Sequence, residues 1–259
     1  MDSKTRPLVS IILTSFNQER YIVRCLESVK CQDYPNIELI AVDNGSRDNS
    51  AALLQQWAAG QGKELVSRII LRNETIPYCK SFNEAFSYSR GQYFIDLSGD
   101  DELMPEHISR SIAKLRDAID AACSFSDVWL RDEKGRKKTF FKRDRGGHLT
   151  QKVKIGDVYR HVVQRYCVPS VSLVFDAGIF RNEGGYDESL SYEDFDIIVR
   201  LARNHSFVFS NHIGVIKNIH SDSMSASQYA SRKSVMLPST LKVCNKIKEM
   251  NRRPKEDQA

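Results

Sequence analysis

Apolar residues occur in blocks along the first hundred positions, and the blocks predict strands and helices in turn. Nearly continuous apolar runs, typical of strands buried on both faces, occupy residues 8–13, 37–42, 66–71 and 93–97. Between these runs apolar residues recur at helical spacing, as they do from Tyr21 to Val29. This alternation predicts an α/β fold, with a mainly parallel sheet flanked by helices.

The pattern changes after a fourth predicted helix, in which Ile108, Ile112, Leu115 and Ile119 are expected to face inward. Runs at 122–131 and 138–142 flank a polar turn and predict a hairpin with a basic second arm. Further elements are predicted as a helix at 155–166, strands at 170–175, 207–210 and 215–219, and a helix that begins near 192–196. Gly184 and Gly185 indicate an unusual backbone between them.

Polar residues follow three of the predicted strands, at Thr14, Asp43 and Asp100. In an open parallel sheet the ligand crevice lies beyond the carboxyl ends of the strands, so these residues are expected to meet at one rim. Asp100 and Asp101 follow Gly99, which is expected to let the backbone turn sharply. Adjacent carboxylates suit Mg²⁺ or Mn²⁺, and such an ion can hold a diphosphate. Capping of the next helix is the alternative role for this pair.

Composition narrows the class of protein. With 259 residues, 41% hydrophobic residues and a net charge of +5, the chain is expected to be globular and not a nucleic-acid binder. The positive charge is concentrated at 136–145 and at 232–255, which predicts either solvated faces or contact with an acidic glycan, a lipid diphosphate or a membrane surface. A weak amphipathic pattern at Leu237, Leu241, Val243 and Ile247 adds peripheral membrane attachment or a partner helix as alternatives.

Six scattered cysteines form no C-x-x-C pair, which favours reduced core residues over a zinc site or a disulfide framework. No apolar run has the length of a signal peptide core or a membrane span. We therefore expect a cytoplasmic protein, with the inner face of the membrane as an alternative location.

Five motifs appear in a fixed order: SIILTSFNQERYI, NIELIAVDNGSRDNS, SGDDEL, GGYDESLSYEDFDIIVRLA and IHSDSMS. Together they resemble family 2 glycosyltransferases of the GT-A fold, from Val9 to Ser225. The resemblance implies one GT-A domain at 1–227, divided into a nucleotide-sugar-binding half at 1–103 and an acceptor and catalytic half at 104–227. A basic helical tail is expected at 228–259.

The resemblance also implies how the donor is bound. Thr14, Phe16 and Asn17 would border the nucleoside, and Asp43 would hydrogen-bond the base, with a preference for uridine; a simple turn is the alternative for Asp43. Lys80 would lie near the diphosphate, or else be a solvated surface lysine. Ser98 replaces the aspartate that usually contacts the ribose, and its hydroxyl can still hydrogen-bond there.

The remaining implied roles concern catalysis. Asp100 and His220 would bind Mn²⁺ or Mg²⁺, and Asp194 would be the general base of an inverting transfer from a nucleoside diphosphate sugar to a glycan or lipid-linked acceptor. Glu193 and Asp187 would lie on the acceptor side. Acidic residues at a helix N-terminus are also favoured by the helix dipole, which is the alternative role for Glu193 and Asp194. The competing functions are a non-catalytic nucleotide-sugar-binding module and a nucleotidyltransferase, although the chain has no Gly-rich phosphate loop with a following lysine.

Overall fold

The computed structural model describes residues 6–221, 234 and 236–258. Its strands are β1 (Val9–Ser15), β2 (Ile37–Asp43), β3 (Val66–Leu71), β4 (Tyr93–Ser98), β5 (Glu102–Leu103), β6 (Ala121–Asp132), β7 (Lys137–Thr139), β8 (Val174–Asp176) and β9 (Ser206–Ile219). Its helices are α1 (Ile22–Lys30), α2 (Ser50–Ala59), α3 (Tyr78–Ser87), α4 (His107–Arg116), α5 (Tyr159–Gln164), α6 (Ala177–Asn182), α7 (Asp194–Asn204) and α8 (Leu237–Met250). The end of the last motif, 222–225, and the start of the predicted tail, 228–233, lie outside the described residues.

The strands form one mixed sheet in the order β3-β2-β1-β4-β8-β6-β9-β5, and β7 pairs with β6. The long pairings, β3 to β2 to β1 to β4 and β6 to β9, are parallel, whereas β8 runs antiparallel to both β4 and β6. The predicted α/β architecture with a mainly parallel sheet is therefore confirmed. Helices cover both faces of the sheet because its central strands are apolar on both sides, as the fully buried Ile11 and Ile12 of β1 illustrate.

Several predicted element bounds were wrong. Helix α4 ends at Arg116, which leaves Ile119 90% exposed instead of buried. The predicted strands at 207–210 and 215–219 are one continuous strand, β9, because irregularities in its register with β6 accommodate the polar residues between them. Helix α5 is shorter than predicted, and a 3-10 turn at Ser170–Ser172 precedes the short strand β8.

Glycine is required at two places near the predicted site, once for the backbone angles and once for space. Gly184 and Gly185 have φ angles of 84° and 72°, which confirms the unusual backbone predicted for them. Gly99 was expected to supply a sharp turn, but its φ is not positive. A Cβ atom there would lie 2.6 Å from Gln18 Oε1 and 3.1 Å from Ile22, so glycine is needed for space.

Helix α8 packs against the rest of the domain. Val243 and Ile247 are buried in the core, whereas Leu237 and Leu241 are 59% and 60% exposed. Lys246 Nζ donates to Asp187 Oδ2 and to Asp196 Oδ1, both at 2.6 Å, and thereby ties α8 to α7 and to the loop before it. The described part of the predicted tail is thus integrated into the fold by apolar burial and by an ion-pair network.

The basic residues at 136–145, in and after the predicted hairpin, are only partly exposed to solvent. Arg136 pairs with Asp132 at the exposed turn. Arg143, in contrast, is mostly buried, and its Nε donates to Asp127 Oδ2 at 2.5 Å. Asp127 has no exposed surface and also accepts from the backbone N–H of Phe141, so this pair fixes the segment that follows β7.

The described cysteines are all free thiols. Cys25, Cys79 and Cys123 are buried, whereas Cys31 and Cys244 are exposed. Among the described residues, no helix combines the length and the apolar character needed to cross a bilayer.

A buried histidine pair predicts acid sensitivity. His107 and His212 lie with ring nitrogens 3.4 Å apart, next to Gly214. Burial lowers the pKa of His107 to about 3 and that of His212 to about 4, and the guanidinium of Arg110 opposes the charged form of His212 further. Both pKa values lie below that of a histidine in the unfolded chain, about 6.5. The pair therefore costs no stability above about pH 6.5, and it lowers the free energy of unfolding as the pH falls below that value.

We expect His107→Leu to reduce the loss of stability between pH 6.5 and pH 4, because the folded protein no longer has to exclude a proton there. The difference should be on the order of 2 kcal/mol at pH 4. Urea unfolding at pH 7 and at pH 4 measures it, and His148→Leu at an exposed histidine is the matched control. An equal loss of unfolding free energy between pH 7 and pH 4 in the wild type and in His107→Leu would contradict the prediction.

Candidate active site

The polar strand ends meet at one rim of the sheet. In the parallel register Ser15 of β1 lies beside Asp43 of β2, and Thr14 lies beside Ser98 of β4. Neighbouring strands are about 4.8 Å apart, so the ends of β2, β1 and β4 span roughly 10 Å. Of the residues predicted to meet at this rim, Thr14 and Asp43 lie on neighbouring strands, and Ser98, two residues before Asp100, lies beside Thr14.

The β1 and β2 ends are held to each other by a hydrogen-bond network. Asp43 is buried and accepts from Ser46 N at 2.9 Å and from Ser46 Oγ at 2.6 Å. These hydrogen bonds form the turn that was the alternative role for Asp43. Asn17 adopts a φ of 53°; its N–H donates to Ser46 Oγ, and its Oδ1 accepts from Arg47 N. The two hydrogen bonds from Ser46 leave further lone pairs on the carboxylate of Asp43.

Two further residues of this region have groups available for a ligand. The Oγ1 of Thr14 is buried and has no hydrogen-bond partner among the described residues. The ring of Phe16 is 44% exposed. A buried hydroxyl without a partner is costly, so a ligand that supplies a hydrogen bond would be stabilising there.

Asp100 and His220 are in direct contact although 120 residues separate them. His220 Nε2 lies 2.9 Å from Asp100 Oδ2, and Ser98 Oγ donates to Asp100 Oδ1 at 2.5 Å. The imidazole stacks on Tyr21, with ring centroids 4.9 Å apart, which fixes its orientation. The two side chains predicted to share a metal are thus presented side by side.

Asp101 has a different environment from Asp100. It is buried, and its Oδ1 accepts from Asn218 N at 3.0 Å. Burial raises the pKa of Asp101 well above its usual value, and the charge of Asp100 raises it further. Asn218 Nδ2 also donates to the Asp100 carbonyl, so Asn218 positions the acidic turn against β9.

A cavity lies between β4 and the N-terminus of α7. Its polar lining includes Tyr78, Asp96, Ser98, Ser170, Glu193 and Asp194. Asp194 is the first residue of α7, and its Oδ2 accepts from Ser170 Oγ at 3.2 Å. Ser98 lines the cavity and also bonds Asp100, so the cavity adjoins the Asp100 and His220 pair.

The carboxylates of this cavity influence one another. Burial raises the pKa of Asp96 to about 6, the hydroxyls bonded to it lower the value, and the charge of Asp194 raises it. Burial likewise raises the pKa of Glu193 well above its usual value, with Asp194 and Asp96 adding to the effect. Full ionisation of this cluster of carboxyl groups is therefore unfavourable.

Two residues of the site were missed from sequence. Asp96 is a lone acid in the apolar strand β4, on the same face as Ser98. Lys217 is a lone cation in β9. Burial opposes its charge, but Tyr166, Asp101 and Asp194 outweigh burial and raise the pKa of the ammonium above its usual value. A charged residue inside an apolar strand was the available signal in both cases.

Two predicted residues lie outside this arrangement. Lys80 is exposed on α3 and has no hydrogen bond or ion pair to any described residue, in keeping with its alternative as a solvated lysine. Asp187 accepts from Lys246 Nζ at 2.6 Å and from Ser189 N at 2.8 Å. Burial opposes ionisation of Asp187, but these hydrogen bonds lower its pKa to about 2, so the carboxylate is engaged in holding α8.

The donor set at the rim fits a divalent cation that is shared with a phosphate ligand. Among the described residues no cluster of three or more metal-binding side chains is present. Asp100 and His220 offer one oxygen and one nitrogen donor; a carboxylate suits Mg²⁺ or Mn²⁺, and an imidazole suits transition-metal ions. Cations of this kind commonly bind few carboxylates and complete their coordination with substrate phosphates and water.

Comparison with known sequences identifies the family. A model described as glycosyl transferase family 2 matches residues 10–171. Chondroitin synthase of Escherichia coli is 27% identical over 86% of the chain, which spans 30% of that protein. An uncharacterized glycosyltransferase of Rickettsia typhi is 27% identical over 83% of the chain, which spans 64% of that protein. The chain thus covers less than two thirds of the length of these relatives.

Solved structures share the fold. S. aureus TarS in complex with UDP-GlcNAc covers 97% of the chain with a TM-score of 0.72 and 16% identity, and the chain spans 70% of it. The mannosyltransferase PcManGT of Pyrobaculum calidifontis, in complex with GDP-Man and Mn²⁺, covers 98% with a TM-score of 0.69 and 15% identity, and the chain spans 68% of it. These similarities confirm the GT-A fold. With a family match over more than half of its length, the chain belongs to glycosyl transferase family 2.

Proposed function

We propose that the protein transfers a sugar, with inversion, from a nucleoside diphosphate donor to a hydroxyl of a glycan or lipid-linked acceptor. The observation that carries the proposal is the convergence of four features at one rim: the buried Asp43, the unpartnered Thr14 hydroxyl, the contact between Asp100 and His220, and the cavity below Asp194. The bound donors of the two solved structures, UDP-GlcNAc and GDP-Man, add support.

In this proposal the nucleoside lies along the ends of β1 and β2. Thr14 and Asn17 border it beside the exposed ring of Phe16, and Asp43 accepts a hydrogen bond from the base. A carboxylate matches the N–H of uracil and also the N–H groups of guanine, so uridine is a preference and not a requirement. Lys80 stays a candidate diphosphate contact through its flexible side chain.

The diphosphate lies near Asp100 and His220, with Ser98 between these residues and the sugar cavity. A divalent cation held by Asp100 and His220 would neutralise the charge that develops on the leaving diphosphate. Mn²⁺ in the complex of PcManGT supports this choice. Lys217 contributes a second, permanent positive charge beside Asp100 and Asp194.

Asp194 is the proposed general base. The acceptor oxygen attacks the anomeric carbon, the bond from that carbon to the phosphate oxygen breaks, and the acceptor proton passes to the Asp194 carboxylate. Asp194 is the first residue of α7, and Ser170 Oγ donates to one of its carboxylate oxygens at 3.2 Å. Glu193 lies beside Asp194 on the proposed acceptor side, while Asp187 positions this region through Lys246.

A donor-binding and hydrolysis assay tests the proposal. We expect UDP and GDP sugars to raise the melting temperature in the presence of Mn²⁺ or Mg²⁺, and nucleoside diphosphate to be released slowly without acceptor. Binding without release under any acceptor or metal condition would favour a non-catalytic module. Release of pyrophosphate from a nucleoside triphosphate would favour a nucleotidyltransferase.

A further inference from the structure

Four hydroxyl groups that line the cavity donate hydrogen bonds to carboxylates of the protein itself. Tyr78 Oη donates to Asp96 Oδ1 at 2.6 Å, and Tyr186 Oη donates to Asp96 Oδ2 at 2.8 Å. Ser98 Oγ donates to Asp100, and Ser170 Oγ donates to Asp194. A hydroxyl that donates to a carboxylate keeps only lone pairs for other partners. These four hydroxyls therefore present only lone pairs to whatever occupies the cavity.

The same lining carries three carboxyl groups. Asp96, Glu193 and Asp194 all line the cavity. Asp96 has both oxygens bonded to tyrosines inside the fold, so it is anchored and cannot turn away from an occupant. The ammonium of the nearby Lys217 is stabilised by Tyr166, Asp101 and Asp194. A negatively charged group placed beside Asp96 would meet a carboxylate that accepts from two tyrosines and offers no donor.

We propose that Asp96, held by Tyr78 and Tyr186, is a specificity-determining residue that admits an uncharged or amino-bearing sugar and rejects a hexuronic acid. The inference rests on the proposed function, because it takes the cavity to hold the transferred sugar. Ring hydroxyl, acetamido and ammonium groups all donate hydrogen bonds, and they match an acceptor lining. A sugar carboxylate offers only acceptors and adds a further negative charge.

Matched donors test the inference on the wild-type protein. UDP-glucose and UDP-glucuronate differ only at C6, as do GDP-mannose and GDP-mannuronate. The test uses the donor pair whose nucleotide the protein binds, with Mn²⁺ present. We expect the uronate donor to have a Kd at least about tenfold higher than the neutral donor, as measured by calorimetry. Equal or tighter binding of the uronate would overturn the inference.

Variants assign the discrimination to Asp96. Asp96→Asn keeps the shape but removes the charge and adds an amide donor, so the ratio of uronate to neutral Kd should fall by about tenfold. Asp96→Glu keeps the charge and should keep the discrimination. An unchanged ratio in a folded Asp96→Asn protein would overturn the role of Asp96. Should that variant unfold, Tyr186→Phe decides: it removes one donor that favours the ionised form of Asp96, so the ratio should narrow, and an unchanged ratio would overturn the role.

Binding of UDP and GDP without a sugar separates this inference from the proposed function. Nucleotide binding together with equal acceptance of uronates overturns only the role of Asp96. Absence of binding by either nucleotide, with Mn²⁺ present, overturns the proposed function and this inference with it.

Discussion

Asp194→Asn is expected to lower sugar transfer by roughly a thousandfold while leaving the affinity for the donor nearly unchanged. The asparagine amide occupies the same space but cannot take the proton of the acceptor hydroxyl. Donor binding should persist because the residues proposed to hold the nucleotide, Thr14, Asp43 and Asp100, lie at or just after the ends of β1, β2 and β4, whereas Asp194 begins α7. Steady-state transfer and calorimetric donor Kd, measured on the same preparation, give the two quantities.

The Asp194→Asn protein should also fold normally. Loss of one charge at the start of α7 costs about 0.3–1 kcal/mol through the helix dipole, and asparagine is well tolerated at a helix start. Asp117→Asn, at the exposed end of α4, is the matched control because it removes the same charge far from the cavity. Wild-type turnover by Asp194→Asn would remove Asp194 from the role of base.

Asp100→Ala is expected to weaken Mn²⁺-dependent donor binding by at least about a hundredfold, because losing an outer-shell partner alone costs roughly 10–100-fold at a metal site and Asp100 is the proposed direct ligand. The carboxylate is in contact with His220 at 2.9 Å, so its loss leaves the imidazole as the single protein donor of the pair. The backbone carbonyl of residue 100 still accepts from Asn218 in the alanine variant, which keeps the turn in place. Donor Kd measured with Mn²⁺ and with a chelator gives the metal-dependent part.

His220→Ala should produce a loss in the same direction, and both variants should match the wild type when the metal is removed. Asp117→Ala serves as the control for loss of an acidic side chain elsewhere. An equal response to Mn²⁺ by wild type and Asp100→Ala would refute metal binding at this pair. A loss of affinity that persists in chelator would assign Asp100 a direct contact with the donor instead.

Element order and the location of the rim could be predicted from sequence. The apolar runs of β1, β2, β3 and β4 are continuous because these strands are covered on both faces, and a buried parallel sheet fixes which strand ends meet. The motif order indicated the family, and three of the five motifs include residues at those ends. Element bounds in the second half were harder, because short or bulged strands such as β8 and β9 are shaped by their pairing partners.

Sequence by itself determined the α/β class, the family and the acidic turn after β4. Tertiary structure alone decided which polar groups meet: Asp100 with His220, Asp96 with Tyr78 and Tyr186, and Lys246 with Asp187 and Asp196. The physical reason is that periodicity reports burial along a single element, whereas these contacts depend on register and packing between elements far apart in the chain.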